Sequence, residues 1–303
     1  MAITFVLNGY FRSGTTMLWR VMQLSNTNKY VFCEPLHNEL FRMVHNEQYG
    51  NIYGHNMSTT TEYTELSYDV LKKLKELHPN LGESVFTYNI RGVVEYLKIF
   101  ESLERDVILQ PNRMHFMLSD IHNYFGCKVA HIIRHPLDVF RSVMFSSPIL
   151  KNLSKAIGVC PYFLRALKKE DPYYLISAYK FMWQYFGNES ETSGLWHRLT
   201  KPRDYFMSRF ILAWTLANWH AVKEIERVDG LVVTYEDIVT RPETLDLMER
   251  YSGTKFHNYD KVLRKDSIGR YRPREVDILM SIATKMGVGD KLSELLKRFK
   301  YMS

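Results

Sequence analysis

The chain has 303 residues, 46% of them hydrophobic and 24% charged, ordinary values for a folded globular protein that exclude wholesale disorder. Lysine and arginine number 40 against 33 acidic residues, a net charge of +7, which favours anionic ligands such as nucleotides and equally suits a protein with a plain basic surface. No stretch approaches the roughly 18 apolar residues that span a bilayer, and the N-terminal MAITFVLNGYF lacks the basic and long apolar regions of a secretory signal. The three cysteines, Cys33, Cys127 and Cys160, are scattered and without CxxC spacing. Neither a disulfide framework nor a zinc site is expected, and a reducing compartment fits.

In chain order, Ile3 to Asn8 reads as a buried strand. Gly9 to Thr16 breaks it, and Thr15 to Leu24 follows with helical character, Met17, Leu18, Val21 and Leu24 sharing one face. Tyr30 to Cys33 is a second strand, completing a parallel βαβ unit. Tyr49 to Glu65, polar and holding Gly50 and Gly54, reads as an exposed loop. Helices are expected over Tyr68–Leu77 and Gly92–Glu104, strands over Val107–Leu109 and Lys128–Ile133, and a helix start at Pro136. Residues 146 to 201 are aromatic-rich without a clear period. Phe210, Trp214, Ala217, Ala221, Ile225 and Val228 mark an amphipathic helix ending near Gly230. Leu231–Tyr235 is a strand, Thr240-Arg-Pro-Glu243 has the form of a capping box, and Asp290–Tyr301 is a short basic helix. Without repeats or shifts in composition, one α/β domain over 1–303 is expected.

Gly9-Tyr-Phe-Arg-Ser-Gly-Thr-Thr16 follows a strand and opens a helix. Such a turn exposes backbone N–H groups at the positive end of a helix dipole, which makes an anion site. The Gly-x4-Gly spacing matches a phosphate-binding loop, but Thr15 stands where a nucleotide-triphosphate lysine belongs, and Arg12 is the loop's cation. A plain strand–helix turn would use the same glycines. Arg134 follows the strand Lys128–Ile133 and Ser142 lies two turns into the next helix. An arginine there suits bidentate capture of phosphate, and Asp138 in the first turn complements the helix dipole. An ordinary surface arginine would look the same.

Taken together, the two stretches resemble the sulfotransferases that use 3′-phosphoadenosine 5′-phosphosulfate (PAPS). Arg12-Ser-Gly-Thr-Thr16 is similar to that family's 5′-phosphosulfate loop, and Arg134-x-Pro-x-Asp-x-x-x-Ser142 to its 3′-phosphate motif. Val233-Thr-Tyr-Glu-Asp-Ile238 is similar to a recurring Tyr-Glu-Asp segment. Ser267-Ile-Gly-Arg-Tyr-Arg272 is similar to a C-terminal segment that closes over the nucleotide. The resemblance implies a P-loop-like central parallel sheet flanked by helices, and sulfuryl transfer by in-line displacement. Phe32-Cys-Glu-Pro-Leu-His37 resembles the Phe-Glu-Pro-Leu segment of carbohydrate sulfotransferases, which makes Glu34 a candidate general base, with a salt bridge to Arg12 as the alternative role. In an open parallel sheet, ligands bind beyond the carboxyl ends of the strands, so the loop at 9–16, Glu34 and Arg134 are expected at one rim, with Glu34 beside the loop.

On this reading the backbone of 13–16 and the hydroxyls of Ser13, Thr15 and Thr16, with Gly14, hold the 5′-phosphosulfate. Arg12 offsets charge on the bridging oxygen, and Arg134 and Ser142 grip the 3′-phosphate. Arg264, Lys265, Gly269 and Arg270 are further nucleotide-binding candidates. PAPS is the donor, 3′,5′-bisphosphoadenosine (PAP) the product, and no metal is required. Relatives carry a lysine before the 3′-phosphate strand. Here Leu109-Gln-Pro-Asn-Arg-Met-His115 has none, so Arg113 or His115 substitutes, and His115 is the second candidate base. Trp214 and Trp219 either stack adenine or belong to the core. The expected acceptor is a hydroxyl on a carbohydrate or glycolipid, shaped by 146–210 as an acceptor-side insertion, with no nucleic-acid partner and no transmembrane segment. Because the Golgi members of the family it resembles carry a membrane anchor and no such stretch is read here, a cytoplasmic location is expected. A P-loop-type kinase and a non-catalytic anion- or glycan-binding protein are the competing readings.

Overall fold

Five short runs of mainly β-branched, aliphatic and aromatic residues pair side by side in one sheet of the computed structural model. The structure describes residues 2–45, 59–79, 86, 89–144, 202–257, 259, 268–269, 271 and 273–299. In chain order the elements are β1 (Ile3–Gly9), α1 (Thr15–Ser25), β2 (Tyr30–Cys33), α2 (Leu40–His45), α3 (Thr61–Thr64), α4 (Tyr68–Leu77), α5 (Ile90–Glu101), β3 (Val107–Gln110) and α6 (Leu118–Phe125). After them come β4 (Lys128–Ile133), α7 (Pro136–Met144), α8 (Pro202–Glu226), β5 (Leu231–Thr234), α9 (Tyr235–Thr240), α10 (Pro242–Ser252), α11 (Pro273–Lys285) and α12 (Gly289–Leu296). The chain divides into two compact units. The first takes Met1–Gly82, Phe86–Ile133 and Ala221–Lys265; the second takes Glu83–Val85, Arg134–His220 and Asp266–Ser303.

The first unit holds the whole sheet, in the order β2-β3-β1-β4-β5, with every pairing parallel. Helices pack on it, as the parallel α/β class requires, and β2 and β3 are buried along their full lengths, the mark of strands covered on both faces. Phe32, Leu97, Phe100, Leu109 and Ile121 belong to its continuous core. The first two strands are parallel as expected but not neighbours, because β3 lies between them.

Helix α1 buries Thr15, Leu18, Trp19, Val21 and Met22. The stripe 15-18-19-22 has the i, i+3, i+4, i+7 spacing of a core-facing helix. This corrects the expected face, since Leu24 is 45% exposed. The Trp19 indole decides the orientation: it is fully buried and its Nε1–H donates to Val31 O at 2.7 Å. Burying such a ring contributes on the order of 5 kcal/mol before ordering costs.

Three local expectations are corrected by tertiary packing. Of the loop expected over 49–65, residues 59–65 are described, and Thr61–Thr64 form a helical turn with Glu62 and Tyr63 buried. The Tyr63 ring packs on Phe32 with centroids 4.9 Å apart. Strand β5 stops at Thr234, whose Oγ1 accepts the Asp237 N–H at 3.1 Å and donates to Asp237 Oδ2 at 2.8 Å. That cap turns Tyr235 from a strand end into the first residue of α9. The capping box expected at Thr240 does not form. Its hydroxyl donates back to Glu236 O at 2.7 Å, and α10 opens with Pro242, which has no N–H to cap.

In the second unit, α7 and the part of α8 up to His220 meet through Phe140 and Phe210, whose rings lie 5.1 Å apart, and α11 packs on α12. Helix α8 is buried at every residue from Phe210 to Ala217, so over that span it is a core helix rather than an amphipathic one. Trp214 is fully buried. Trp219 donates from Nε1 to Glu294 Oε2 at 3.0 Å, with the Lys291 ammonium 5.1 Å from its ring. Both tryptophans therefore have packing roles. The segment expected to shape the acceptor pocket lies, up to residue 201, outside the described residues. Among the described residues no helix is long and apolar enough to cross a membrane.

Candidate functional site

The turn from β1 into α1 runs from Tyr10 to Gly14. It curls tightly: the Ser13 N–H donates to Tyr10 O at 3.0 Å, and Arg12 and Gly14 both have left-handed backbones, φ 66 and φ 92. The two glycines are required for different reasons. A Cβ on Gly9 would lie 2.5 Å from Thr15 Cγ2 and 3.2 Å from Ile132 O. A Cβ on Gly14 would lie 2.3 Å from Tyr235 Cδ2. Thr15 is buried with its methyl turned down on β1, so the position that carries lysine in a nucleotide-triphosphate loop points inward here.

Helix α1 opens at Gly14 with no side-chain cap and no acidic residue in its first turn, which leaves the positive end of its dipole to an anion. The Ser13 hydroxyl is buried without a hydrogen-bond partner. Left unmet, such a group costs roughly 1–3 kcal/mol. Arg12 and Thr16 are half-buried on the same turn. These are the features a phosphate or sulfate group would use.

Glu34 follows β2, and the strand order decides its neighbours. Because β3 lies between β2 and β1, the residues after β3, rather than the β1 loop, stand next to it. Asn112 Nδ2 donates to Glu34 Oε1 at 3.0 Å, and His37 Nε2 lies 3.9 Å from Glu34 Oε2. The Glu39 N–H donates to His37 Nδ1 at 3.1 Å, so the neutral ring carries its proton on Nε2, facing Glu34. Burial raises the Glu34 proton affinity above the ordinary carboxylate range, while Arg113 and the Asn112 bond pull against it. Arg113 is fully buried, its guanidinium 5.4 Å from the Phe11 ring of the loop. Asn112 and Arg113 thus link the Glu34 position to the β1 loop across the carboxyl end of β3. Burial and then Arg113 hold His37 down at about 3.

His115 lies in a different environment. Its ring is 4.7 Å from Phe86, 6.1 Å from Tyr10 and 5.3 Å from His131. Both ring nitrogens are buried without hydrogen-bond partners. Burial, then His131, holds its proton affinity well below the usual histidine value. His131 Nδ1 is 3.1 Å from Asn8 Nδ2, and Asn8 Oδ1 accepts the Met114 N–H at 3.3 Å, a polar row under the loop.

In the second unit two distant segments meet. The Gly269 N–H donates to Asp138 Oδ2 at 3.0 Å, and His135 stacks on Tyr271 with centroids 3.8 Å apart and planes 16° apart. Asp138 therefore holds Gly269 as well as sitting in the first turn of α7. A Cβ on Gly269 would lie 2.6 Å from Asp138 Oδ1 and 2.9 Å from Arg141 Nη1. Arg141 in turn pairs with Glu275 at 2.8 Å. Burial, then Arg141, lowers His135 to about 3, and its Nδ1 accepts the Leu137 N–H at 3.3 Å. Arg134 directly follows β4, and Ser142 is half-buried on α7. Arg264, Lys265 and Arg270 lie outside the described residues.

Asn112 and His37 were not singled out in the sequence. His37 had a usable signal, since it stands three residues beyond Glu34 in the same turn. Asn112 had none, because its contact spans 78 positions. No protein-family model matches the chain. An uncharacterized protein of Archaeoglobus fulgidus is 28% identical over 275 residues, covering 86% of this chain and 88% of that one. Among solved structures, the chain is similar to the sulfotransferase domain from the curacin biosynthetic pathway, at 15% identity, 85% of this chain, 76% of that chain and a TM-score of 0.39. It is also similar to the sulfotransferase domain from the Synechococcus PCC 7002 olefin synthase, at 17% identity, 91% of this chain, 82% of that chain and a TM-score of 0.41.

Proposed function

We propose that the protein transfers a sulfuryl group from PAPS to the hydroxyl of an acceptor, a sugar or glycoconjugate. The observation that carries the reading is the β1 loop: an uncapped helix start and a buried, unpartnered Ser13 hydroxyl, with arginine as its cation and Thr15 turned inward. That arrangement suits a phosphosulfate and lacks the lysine of a kinase. Ser13, Gly14, Thr15 and Thr16 take the 5′-phosphosulfate, Thr15 through its backbone N–H and hydroxyl. The 3′-phosphate is assigned to Arg134 and Ser142, with Arg264, Lys265, Gly269 and Arg270 as further contributors, on the motif resemblance.

In the reaction the acceptor oxygen bonds to sulfur as the bond from sulfur to the 5′-phosphate oxygen breaks. Glu34 takes the acceptor proton, and Arg12 with the α1 amides offsets the charge gathering on the departing phosphate. General-base help of this kind is worth roughly 10²–10⁴ in rate. A proton affinity raised by burial makes the ionised Glu34 a stronger base, whereas His115, with its affinity pushed well down, is the weaker candidate. The sugar preference rests on the Glu34-Pro35-Leu36 resemblance.

The test is a thermal-shift comparison of PAP with ATP. PAP at 100 times its Kd should stabilise the protein by about 2.7 kcal/mol, and ATP by much less. Preferential stabilisation by ATP would replace this reading with a kinase. A protein that binds PAP yet never consumes PAPS would be a binding module.

A further inference from the structure

Glu34 has a left-handed backbone, φ 43, which side-chain-bearing residues adopt only when the surroundings enforce it. Those surroundings include two tyrosines from separate helices. The Tyr63 hydroxyl, on α3, donates to Cys33 O at 3.0 Å. The Tyr96 hydroxyl, on α5, donates to Pro35 O at 2.8 Å. The peptide unit before Glu34 is thereby pinned at both ends, because the Glu34 N–H donates to Gln110 O at 2.7 Å. The unit after it is held by the His37 N–H on Glu34 O at 2.9 Å, and Pro35 fixes its own φ.

Both rings are fully buried. Tyr63 packs on Phe32 at 4.9 Å and Tyr96 on Phe100 at 5.4 Å. Phenylalanine would fill that space equally well, so packing alone does not call for hydroxyls. Each hydroxyl is spent on a carbonyl flanking Glu34, with sequence separations of 30 and 61.

We infer that Tyr63 and Tyr96 are positioning residues that lock the backbone on either side of Glu34 and so aim its carboxylate at Asn112 and the reacting hydroxyl. The catalytic part of this rests on Glu34 being the base; the locking does not. Preorganisation of this kind removes the cost of reorienting the base during reaction.

The experiment is a ¹³C-carboxyl NMR titration of Glu34 in the full-length protein, comparing the unaltered chain with Tyr63→Phe, Tyr96→Phe and the double variant. Besides Tyr63 itself, the groups coupled to Glu34 are Cys33, His37, Asn112 and Arg113, and they remain in every variant. With both hydroxyls gone, the Glu34 carboxylate should reach water and its proton affinity should fall toward that of an ordinary glutamate. The PAP affinity should change less than about twofold. A double variant whose Glu34 titrates as in the unaltered protein overturns the inference. Should the double variant not fold, the unaltered protein decides: the two hydroxyl protons should exchange slowly, and exchange at the solvent rate overturns it. PAP release from PAPS with water as acceptor, measured for Glu34→Gln, tests the base separately. Undiminished release there removes the base role while the titration still judges the lock.

Discussion

The Tyr235 ring fills the space that a side chain on Gly14 would need, with Cδ2 and Cε2 only 2.3 Å and 2.4 Å from the position of a Cβ. The α1 N-terminus and the Tyr-Glu-Asp segment, 221 positions apart by numbering, thereby form one packed joint.

Gly14→Ala should break that joint. The substitution adds a clash with a buried ring and places a side chain at φ 92, two effects that each cost roughly 1–3 kcal/mol. Urea denaturation should show a loss of about 2–6 kcal/mol, and isothermal titration should show PAP affinity falling at least tenfold. Unchanged stability would refute both the clash and the backbone strain; a loss of only about 1–3 kcal/mol, that of one effect, would mean that Tyr235 swings away freely.

Asp138→Ala should loosen Gly269 and its described neighbour in the segment, Tyr271. The lost hydrogen bond joins a buried carboxylate to the Gly269 N–H, and bonds to charged groups are worth about 1.5–3 kcal/mol. Hydrogen exchange at Gly269 and Tyr271 should rise by at least tenfold, while the amides of β1 to β5 keep their protection. Equal loosening of the sheet would refute a local role.

Stability should fall as the solution is acidified below neutrality. His37 and His135 are held at about 3 in the fold, against about 6.5 when unfolded. Their stabilising contribution is complete above pH 6.5 and is lost as pH falls toward 3. Between those limits each group that takes up its proton only on unfolding costs about 1.4 kcal/mol per pH unit. Glu62 works in the opposite sense: burial raises it to about 7, so its unfavourable term grows as pH climbs from 4.5 through 7. Urea midpoints between pH 7 and pH 5 should therefore drop, and His135→Phe should flatten the slope. A flat profile in the unaltered protein would contradict the buried, neutral histidines.

Much of the local structure was legible. Tyr68–Leu77 and Lys128–Ile133 fall where periodicity and apolar runs place them, because each is decided within a few residues. Errors arose where a side chain answers to a distant partner. Tyr63 sits in a polar stretch whose burial depends on Phe32 and Cys33. Thr240, a plausible cap by pattern, bonds backwards because Thr234 and Asp237 had already set the preceding helix.

The same division runs through the candidate site. Local sequence alone determined the strand–loop–helix at Gly9–Thr16 and the helix start after Arg134, since glycine geometry, proline placement and short hydrophobic runs act over a single turn. Only the tertiary structure decided that β3 lies between β1 and β2, and with it that Asn112 and Arg113 stand beside Glu34. Strand order is set by which buried faces fit together across the sheet, and the free energy of that fit is spread over residues tens of positions apart. No window along the chain contains it.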